Sequence, residues 1–522
     1  MSAVLALLIA GQATIGLPAG APAGVGSLPA ANPAECAALK ALQLPDVRIT
    51  EAVAVAANAP APVPPSPFGP PPTISVAYCK VNGTVGREIR FTLLLPDQWN
   101  RKFMMGGGGG YVEGIDNQSI TSVNSGYATV GTDTGHQGRG VEASWALDNI
   151  ERQLNFGHAA VHRVAEASKA IIRARYNTAP SRSYFNGCSN GGRQALMEAQ
   201  RYPDDFDGIV SGAPAYDFTG IAVQFIKDIQ AAFPDKESLS KPLFPTETLK
   251  SVETQIVAKC DASDGVTDGL MEDPRRCTID VSTLTGLSDQ QKKALATIYG
   301  EKRLPDGSVI YPPQPVGGEG DAALGWPLWI NGVNPMLQLA YKVPSLRFGF
   351  GTQFMKFFVF NDPEWDYLKY DFANYRRDSK LAGSMLNATD PNLDAFKKRG
   401  GKLVLYHGWS DAALSALATT KYYEQLQARD ASTTDYARLF MLPGVAHCGG
   451  GAGPDRVDWY SVIDNWVEKG VAPERIVATK MASGKVTRSR PLCAYPLRAV
   501  YKGTGSIDDE ANFVCTQAPK AP

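Results

Sequence analysis

Residues 181–214 read SRSYFNGCSNGGRQALMEAQRYPDDFDGIVSGAP, and the fold class follows from this stretch. Ser183–Asn186 and Gly208–Val210 are β-prone, and Gly191–Arg201 between them has helical composition, which is the strand-helix-strand rhythm of a parallel sheet. At the first junction stands Gly187-Cys188-Ser189-Asn190-Gly191, a G-x-S-x-G pattern. A strand runs directly into it and a helix directly out, as a nucleophile elbow demands, and a chance glycine-serine turn would lack that setting. Gly187, Gly191 and Gly192 keep Cβ atoms out of a turn where strand, helix and serine crowd together. The expected fold is α/β, an α/β-hydrolase core with Ser189 as nucleophile.

A serine needs a base, and the chain offers five histidines. In this fold the base lies on the loop after the last strand, and the acid on a loop after the strand before it. His447, in LPGVAHCGGG, follows the β-prone run Ala437–Leu442; Asp411, in LVLYHGWSDAA, follows Lys402–Tyr406. The chain order Ser189, Asp411, His447 is the hydrolase order, with Asp411 holding the imidazole tautomer that accepts the serine proton. His136 in GTDTGH is the rival base and Asp133 the rival acid, whereas His158 and His162 fall on a helical stretch. Met104–Gly110 (MMGGGGG) resembles an HGGG-type loop, so amides near Gly108 or Gly109, together with that of Asn190, are the expected oxyanion donors. No Lys-Ser/Thr follows these glycines, which argues against a phosphate cradle.

Cys188 precedes the serine and Cys448 follows the histidine. Bringing serine Oγ to within about 2.6–3.2 Å of the imidazole also brings these neighbours into disulfide range, with Cα atoms about 4.4–6.8 Å apart. The alternatives are a Cys188 thiol packed beneath the elbow, or Cys188 itself as nucleophile. An even count of eight cysteines with no CxxC pair suggests disulfides rather than zinc, and hence a secreted or periplasmic protein. Ala3–Ala10 is an apolar run that fits a leader over 1–30 only partly, since no Lys or Arg precedes it. No later run has the length of a membrane span, and no obligate protein partner is evident.

The 522 residues are more than one ordinary core holds, and a formal net charge of -1 makes nucleic acid an unlikely partner. Residues 57–72 form a Pro-rich strap, followed by β-prone runs at Ile74–Tyr78, Glu88–Leu95, Lys102–Met105 and Tyr127–Thr132. A helix is expected across Leu154–Ala174 and another across Asp455–Lys469, with Val462, Trp466 and Val467 on one face. Strand-helix alternation stops after Pro214, so the catalytic unit divides into 1–215 and 400–522, and 216–399 reads as an inserted lid. Within it, CDASDGVTDGLMEDPRRC clusters Asp261, Asp264 and Asp268 in a glycine-containing loop between Cys260 and Cys277. Such hard carboxylates, with carbonyls of Val266 and Leu270, suit Ca²⁺ rather than a solvated acidic loop, although the spacing is not that of an EF-hand.

Taken together, FNGCSNGGRQALMEAQRYPDDFDGIVSGAPA, CDASDGVTDGL, LYHGWSDAALSA, LFMLPGVAHCGGG and RPLCAYPLRAVYKGTG resemble the tannase and feruloyl esterase family over nearly the whole length. The resemblance implies a serine esterase with a CS-D-HC arrangement on Cys188-Ser189, Asp411 and His447-Cys448, acting on a small aromatic ester. It also implies a lid, a structural calcium at Asp261, Asp264, Val266, Asp268 and Leu270, and the pairings Cys36–Cys79, Cys260–Cys277 and Cys493–Cys515. The family includes a terephthalate monoester hydrolase. Against it, Arg347 in RFGFGTQFMKFF would supply a carboxylate-binding arginine, and without one a neutral hydroxycinnamate or gallate ester fits better. His407 matches a position close to substrate. A non-catalytic binder of plant-wall carbohydrate on the same fold, and a hydrolase with calcium in its active site, are the competing readings.

Overall fold

The computed structural model describes residues 33–63, 70–112, 114–332 and 334–517. The candidate leader and residues 64–69 of the strap lie outside them. Nine strands form the main sheet: β1 (Val47–Val55), β2 (Tyr78–Val85), β3 (Ile89–Pro96), β4 (Lys102–Gly106), β5 (Ala128–Thr132), β6 (Arg182–Cys188), β7 (Gly208–Gly212), β8 (Lys402–Gly408) and β9 (Ala437–Leu442). Their spatial order is β1-β2-β3-β5-β4-β6-β7-β8-β9. From β5 onward every neighbouring pair is parallel, while β1, β2, β3 and β5 pair antiparallel. This is the α/β-hydrolase arrangement expected from residues 181–214, and it sends the C-terminal ends of β6, β8 and β9 to one edge.

The parallel strands are buried on both faces, which is why their apolar residues do not alternate with exposed polar ones. On one face lie α1 (Ala160–Tyr176) and α2 (Asn190–Arg201), and Val164, Ile171 and Leu196 join a core with Phe91, Val130 and Phe185. Between the neighbouring strands β7 and β8, the described residues of 213–401 add no strand to this sheet. They carry α3 (Phe218–Ala232), α4 (Thr246–Cys260), α5 (Leu346–Phe354) and a small hairpin, Lys302–Arg303 with Val309–Tyr311. Leu249, Trp326 and Phe354 of this insertion belong to the same apolar cluster as the sheet residues, so its packing is continuous with that of the sheet. After β8 come α6 (Ala416–Arg429) and α7 (Trp459–Lys469). Trp459, Ile463 and Trp466 of α7 cover the other face with Tyr406 and Phe440, and Val462 and Val467 pack beside them.

Three local expectations change. Ile74–Tyr78 is not one strand: Thr73–Ile74 pairs with Ala59–Pro60 of the strap, and Tyr78 opens β2. The helix expected across Leu154–Ala174 is interrupted by a wide π-type turn at Asn155–Ala159. Such a turn frees carbonyls, and the buried guanidinium of Arg193 donates to those of Gly157 at 2.6 Å and Phe156 at 2.9 Å. Helix α7 starts later than expected because the Asp458 carboxylate caps it by accepting from the Ser461 amide at 3.1 Å.

Candidate active site

Strand β6 delivers Ser189 into a backbone conformation, φ 64 and ψ -123, that side-chain-bearing residues rarely adopt. It is held by its own amide, which donates to the Gly212 carbonyl at 3.0 Å, and by its carbonyl, which accepts from the Ala215 amide at 3.0 Å. The turn is possible only with bare glycines: a Cβ on Gly187 would meet the Gly191 carbonyl at 2.6 Å, and one on Gly192 would meet the Gly212 oxygen at 2.3 Å. The next residue, Asn190, is the first of α2, so its backbone N–H has no acceptor within the helix.

Asp411 lies in the turn after β8 and is buried. Its Oδ1 accepts from the amides of Ala413 at 2.7 Å and Leu414 at 2.9 Å. Its Oδ2 accepts from Nδ1 of His447 at 2.7 Å and from Nε2 of His407 at 3.0 Å. Burial alone would push this carboxyl up, but the imidazoles of His447 and His407 outweigh it and hold Asp411 below the usual carboxylate range. His447 sits in the loop after β9, and its Nε2 is buried without a hydrogen-bond partner among the described residues. Cys188 and Cys448 form a disulfide with Cα atoms 5.9 Å apart, tying the residue before Ser189 to the residue after His447. The other three bridges are Cys36–Cys79, Cys260–Cys277 and Cys493–Cys515.

Ser189 and His447 open onto one narrow cavity of about 60 Å³. The insertion supplies most of its wall through Phe218, Phe225, Trp329, Phe350 and Phe354. Trp329 stands edge-on to the His447 ring at 5.2 Å. Tyr111 completes the wall, but its hydroxyl is already donated to the Phe350 carbonyl at 2.9 Å. Among the described lining residues none is an Asp, Glu, Lys or Arg.

Several residues picked out from the sequence stand elsewhere. The Gly109 amide does not face the cavity: it donates to Oδ2 of Asp116 at 2.9 Å, and the Gly108 amide donates to Oε1 of Gln194 at 3.0 Å. Gly110, with φ 51, is the glycine of this loop that borders the cavity. The Asn190 side chain braces this loop, donating to the Gly108 carbonyl at 3.0 Å while Nε of Arg193 donates to its Oδ1 at 2.9 Å. Arg347 is neither at the cavity nor on the surface. It is fully buried, paired with Asp228, and its Nη2 donates to Oε1 of Gln314 at 2.7 Å and to the Ala412 carbonyl at 2.8 Å. His407 is buried behind Asp411 rather than lining the cavity, with its Nδ1 2.7 Å from Oγ1 of Thr419. His136 stacks on Trp145 at 3.5 Å and lies 2.8 Å from the Tyr111 carbonyl, and Asp133 caps the Arg90 and Gly135 amides. Neither touches Ser189 or His447. His158 contacts the Tyr202 hydroxyl, and His162 pairs with Asp205.

In the acidic loop, Asp264, Val266, Asp268 and Leu270 line a small hollow with Glu272 beside them. Asp261 turns to accept from the Asp268 and Gly269 amides, and Asp268 pairs with Arg490. Burial, and then the facing Asp268 and Asp261 carboxylates, push the Asp264 carboxyl up, so negative charge is crowded here. Among the described residues no three acidic, imidazole or thiol side chains converge into a complete metal cage. A hard cation would fit this hollow only by drawing on backbone carbonyls as well as on Asp264 and Asp268.

The family model described as Tannase and feruloyl esterase matches residues 74–516. Mono(2-hydroxyethyl) terephthalate hydrolase of Piscinibacter sakaiensis is 32% identical, over 86% of this chain and 87% of its own. A probable feruloyl esterase of Arthroderma benhamiae is 32% identical, over 92% of this chain and 94% of its own. The crystal structure of feruloyl esterase B from Aspergillus oryzae superposes with a TM-score of 0.81 at 26% identity, covering 93% of this chain and 100% of that one.

Proposed function

Because the chain belongs to the tannase and feruloyl esterase family and is a carboxylic ester hydrolase, we propose that it cleaves neutral aromatic carboxylic esters through an acyl-enzyme on Ser189. The observation that carries this reading is the cavity itself: Ser189 and His447 both border it, among aromatic rings, with no charged side chain among the described lining residues.

In this reading Ser189 Oγ attacks the ester carbonyl as His447 Nε2 takes its proton, and Asp411 steadies the imidazolium through Nδ1. The unpartnered Nε2 is free for that exchange. The backbone amides of Asn190 and Gly110 receive the oxyanion, replacing Gly109 in that part. His447 then protonates the leaving alkoxide, and water admitted in its place releases the acid by the reverse sequence. Four disulfides, durable only where thiols are oxidised, support a secreted or periplasmic setting.

Wall chemistry also ranks the acyl groups. A galloyl ring brings three hydroxyls into a wall whose one phenol is already bonded, and each buried hydroxyl left without a partner costs about 1–3 kcal/mol. A terephthalate monoester brings a carboxylate, and the Arg347 guanidinium that would answer it is buried against Asp228. We therefore expect kcat/KM for methyl ferulate to exceed that for methyl gallate by about tenfold or more, with mono(2-hydroxyethyl) terephthalate lower again. Initial rates across the three esters check this. Preference for gallate or for the terephthalate monoester would overturn the ranking.

The same reading includes a structural calcium ion at the hollow of Asp264, Val266, Asp268 and Leu270, sharing Asp268 with Arg490 and supplying no chemistry to the reaction, while Asp261, the fifth expected ligand, accepts from the Asp268 and Gly269 amides. A ligand bound only to the folded state stabilises it by about 2.7 kcal/mol at a hundredfold excess over Kd. EDTA should lower the melting temperature by about 2–3 °C, and Ca²⁺ should restore it, while kcat below the transition holds. Lost activity with unchanged melting would instead put a metal at the reaction centre.

A further inference from the structure

Asp411 serves two imidazoles, and the proposed mechanism uses one of them. His407 is fully buried near the end of β8, with Nε2 3.0 Å from Oδ2 of Asp411 and Nδ1 2.7 Å from Oγ1 of Thr419 on α6. An ionised carboxylate only accepts, so Nε2 of His407 carries a proton. On the neutral ring Nδ1 is then an acceptor, and the Thr419 hydroxyl donates to it. Both ring nitrogens are occupied, which fixes the tautomer and the orientation of the ring. The same Oδ2 takes the Nδ1–H of His447, while Oδ1 is filled by the Ala413 and Leu414 amides. With about four acceptor positions on a carboxylate, Asp411 has none to spare and no room to rotate.

We propose that His407, held by Thr419, is a positioning residue that fixes the Asp411 carboxylate so that Oδ2 faces Nδ1 of His447. His407 does not border the cavity, so it acts on turnover and not on substrate binding. Its removal takes a charge-assisted donor from a carboxylate that water does not reach. The Asp411 carboxylate is then free to turn away from His447. The inference rests on reading Ser189, Asp411 and His447 as the triad.

Kinetics with methyl ferulate on the full chain test it. His407→Leu, similar in bulk but without a donor, should lower kcat about 10- to 100-fold with KM within about twofold, the scale of one lost charge-assisted bond. His407→Gln, whose amide N–H reaches the Nε2 position, should recover most of that loss. Thr419→Val should fall between, and Thr419→Ser, which keeps the hydroxyl, should recover it. Parental kcat in His407→Leu overturns the proposal. So does an equal loss in His407→Leu and His407→Gln with KM rising in step, which marks packing alone. Should His407→Leu fail to fold, the Thr419 pair decides: equal kcat in Val and Ser variants overturns it. Ser189→Ala run alongside separates the two levels, since an active Ser189→Ala sinks the triad reading, whereas an inactive one beside a fully active His407→Leu sinks this inference alone.

Discussion

Ser189→Ala is expected to lower kcat on methyl ferulate by about 10⁴-fold or more, the scale on which removing a serine nucleophile disables a triad. Whatever turnover remains would come from the amides of Asn190 and Gly110 and from the aromatic wall. The same change should leave stability nearly untouched. The bonds that hold residue 189 run through its backbone, to Gly212 and Ala215, and alanine meets the same strain at φ 64 that serine does. Turnover and thermal melting measured on one preparation therefore separate chemistry from folding. A variant that melts normally yet hydrolyses the ester at the parental rate would remove Ser189 from the mechanism.

Replacing both Cys188 and Cys448 by alanine should reduce stability and turnover together. The bridge closes a loop of 260 residues, and in the chain-entropy model such a loop contributes roughly 5 kcal/mol. For a chain of this size that is a fall of about 5 °C in melting temperature. The bond also spans the gap between the elbow and the histidine loop, so its loss should lower kcat below the transition, more than it raises KM. Cys36–Cys79 provides the contrast. That bridge closes 43 residues between the short helix Pro33–Ala38 and β2, which is far along the sheet order from β6, β8 and β9. Its removal should cost roughly 4 kcal/mol and leave kcat at the parental value. Equal kinetic effects from the two pairs would mean that the Cys188–Cys448 bridge does no more than tether the chain.

The elbow is legible in the sequence because its constraints are local: a strand, a tight turn closed by glycines and a helix occupy consecutive residues. Asp411 and His447 are legible because each follows a strand, and chain order ranks the candidates. The cysteines were readable for the same reason, standing next to residues already singled out. What escaped depends on distant partners. Which amide of Gly106–Gly110 is free depends on Asp116 and Gln194, which occupy those of Gly109 and Gly108, and a run of identical glycines carries no trace of that. Arg347 finds Asp228 119 residues away, so an arginine among aromatics could be read as a substrate contact when it is a buried strut. The family resemblance places His407 near substrate, yet β8 carries it behind the Asp411 carboxylate. The aromatic run RFGFGTQFMKFF stands out in the sequence, but that Phe218, Phe225 and Trp329 join Phe350 and Phe354 in one wall depends on how distant parts of the insertion pack around Ser189 and His447.

Active-site titration tests the central claim most directly. The protein is treated with one equivalent of a fluorophosphonate, residual activity is followed, and the modified peptide is mapped by mass spectrometry. The expected result is one label per chain, on Ser189, with activity lost in proportion and labelling slowed by methyl ferulate. Full activity under excess reagent, or a stoichiometric label on another residue, would contradict it.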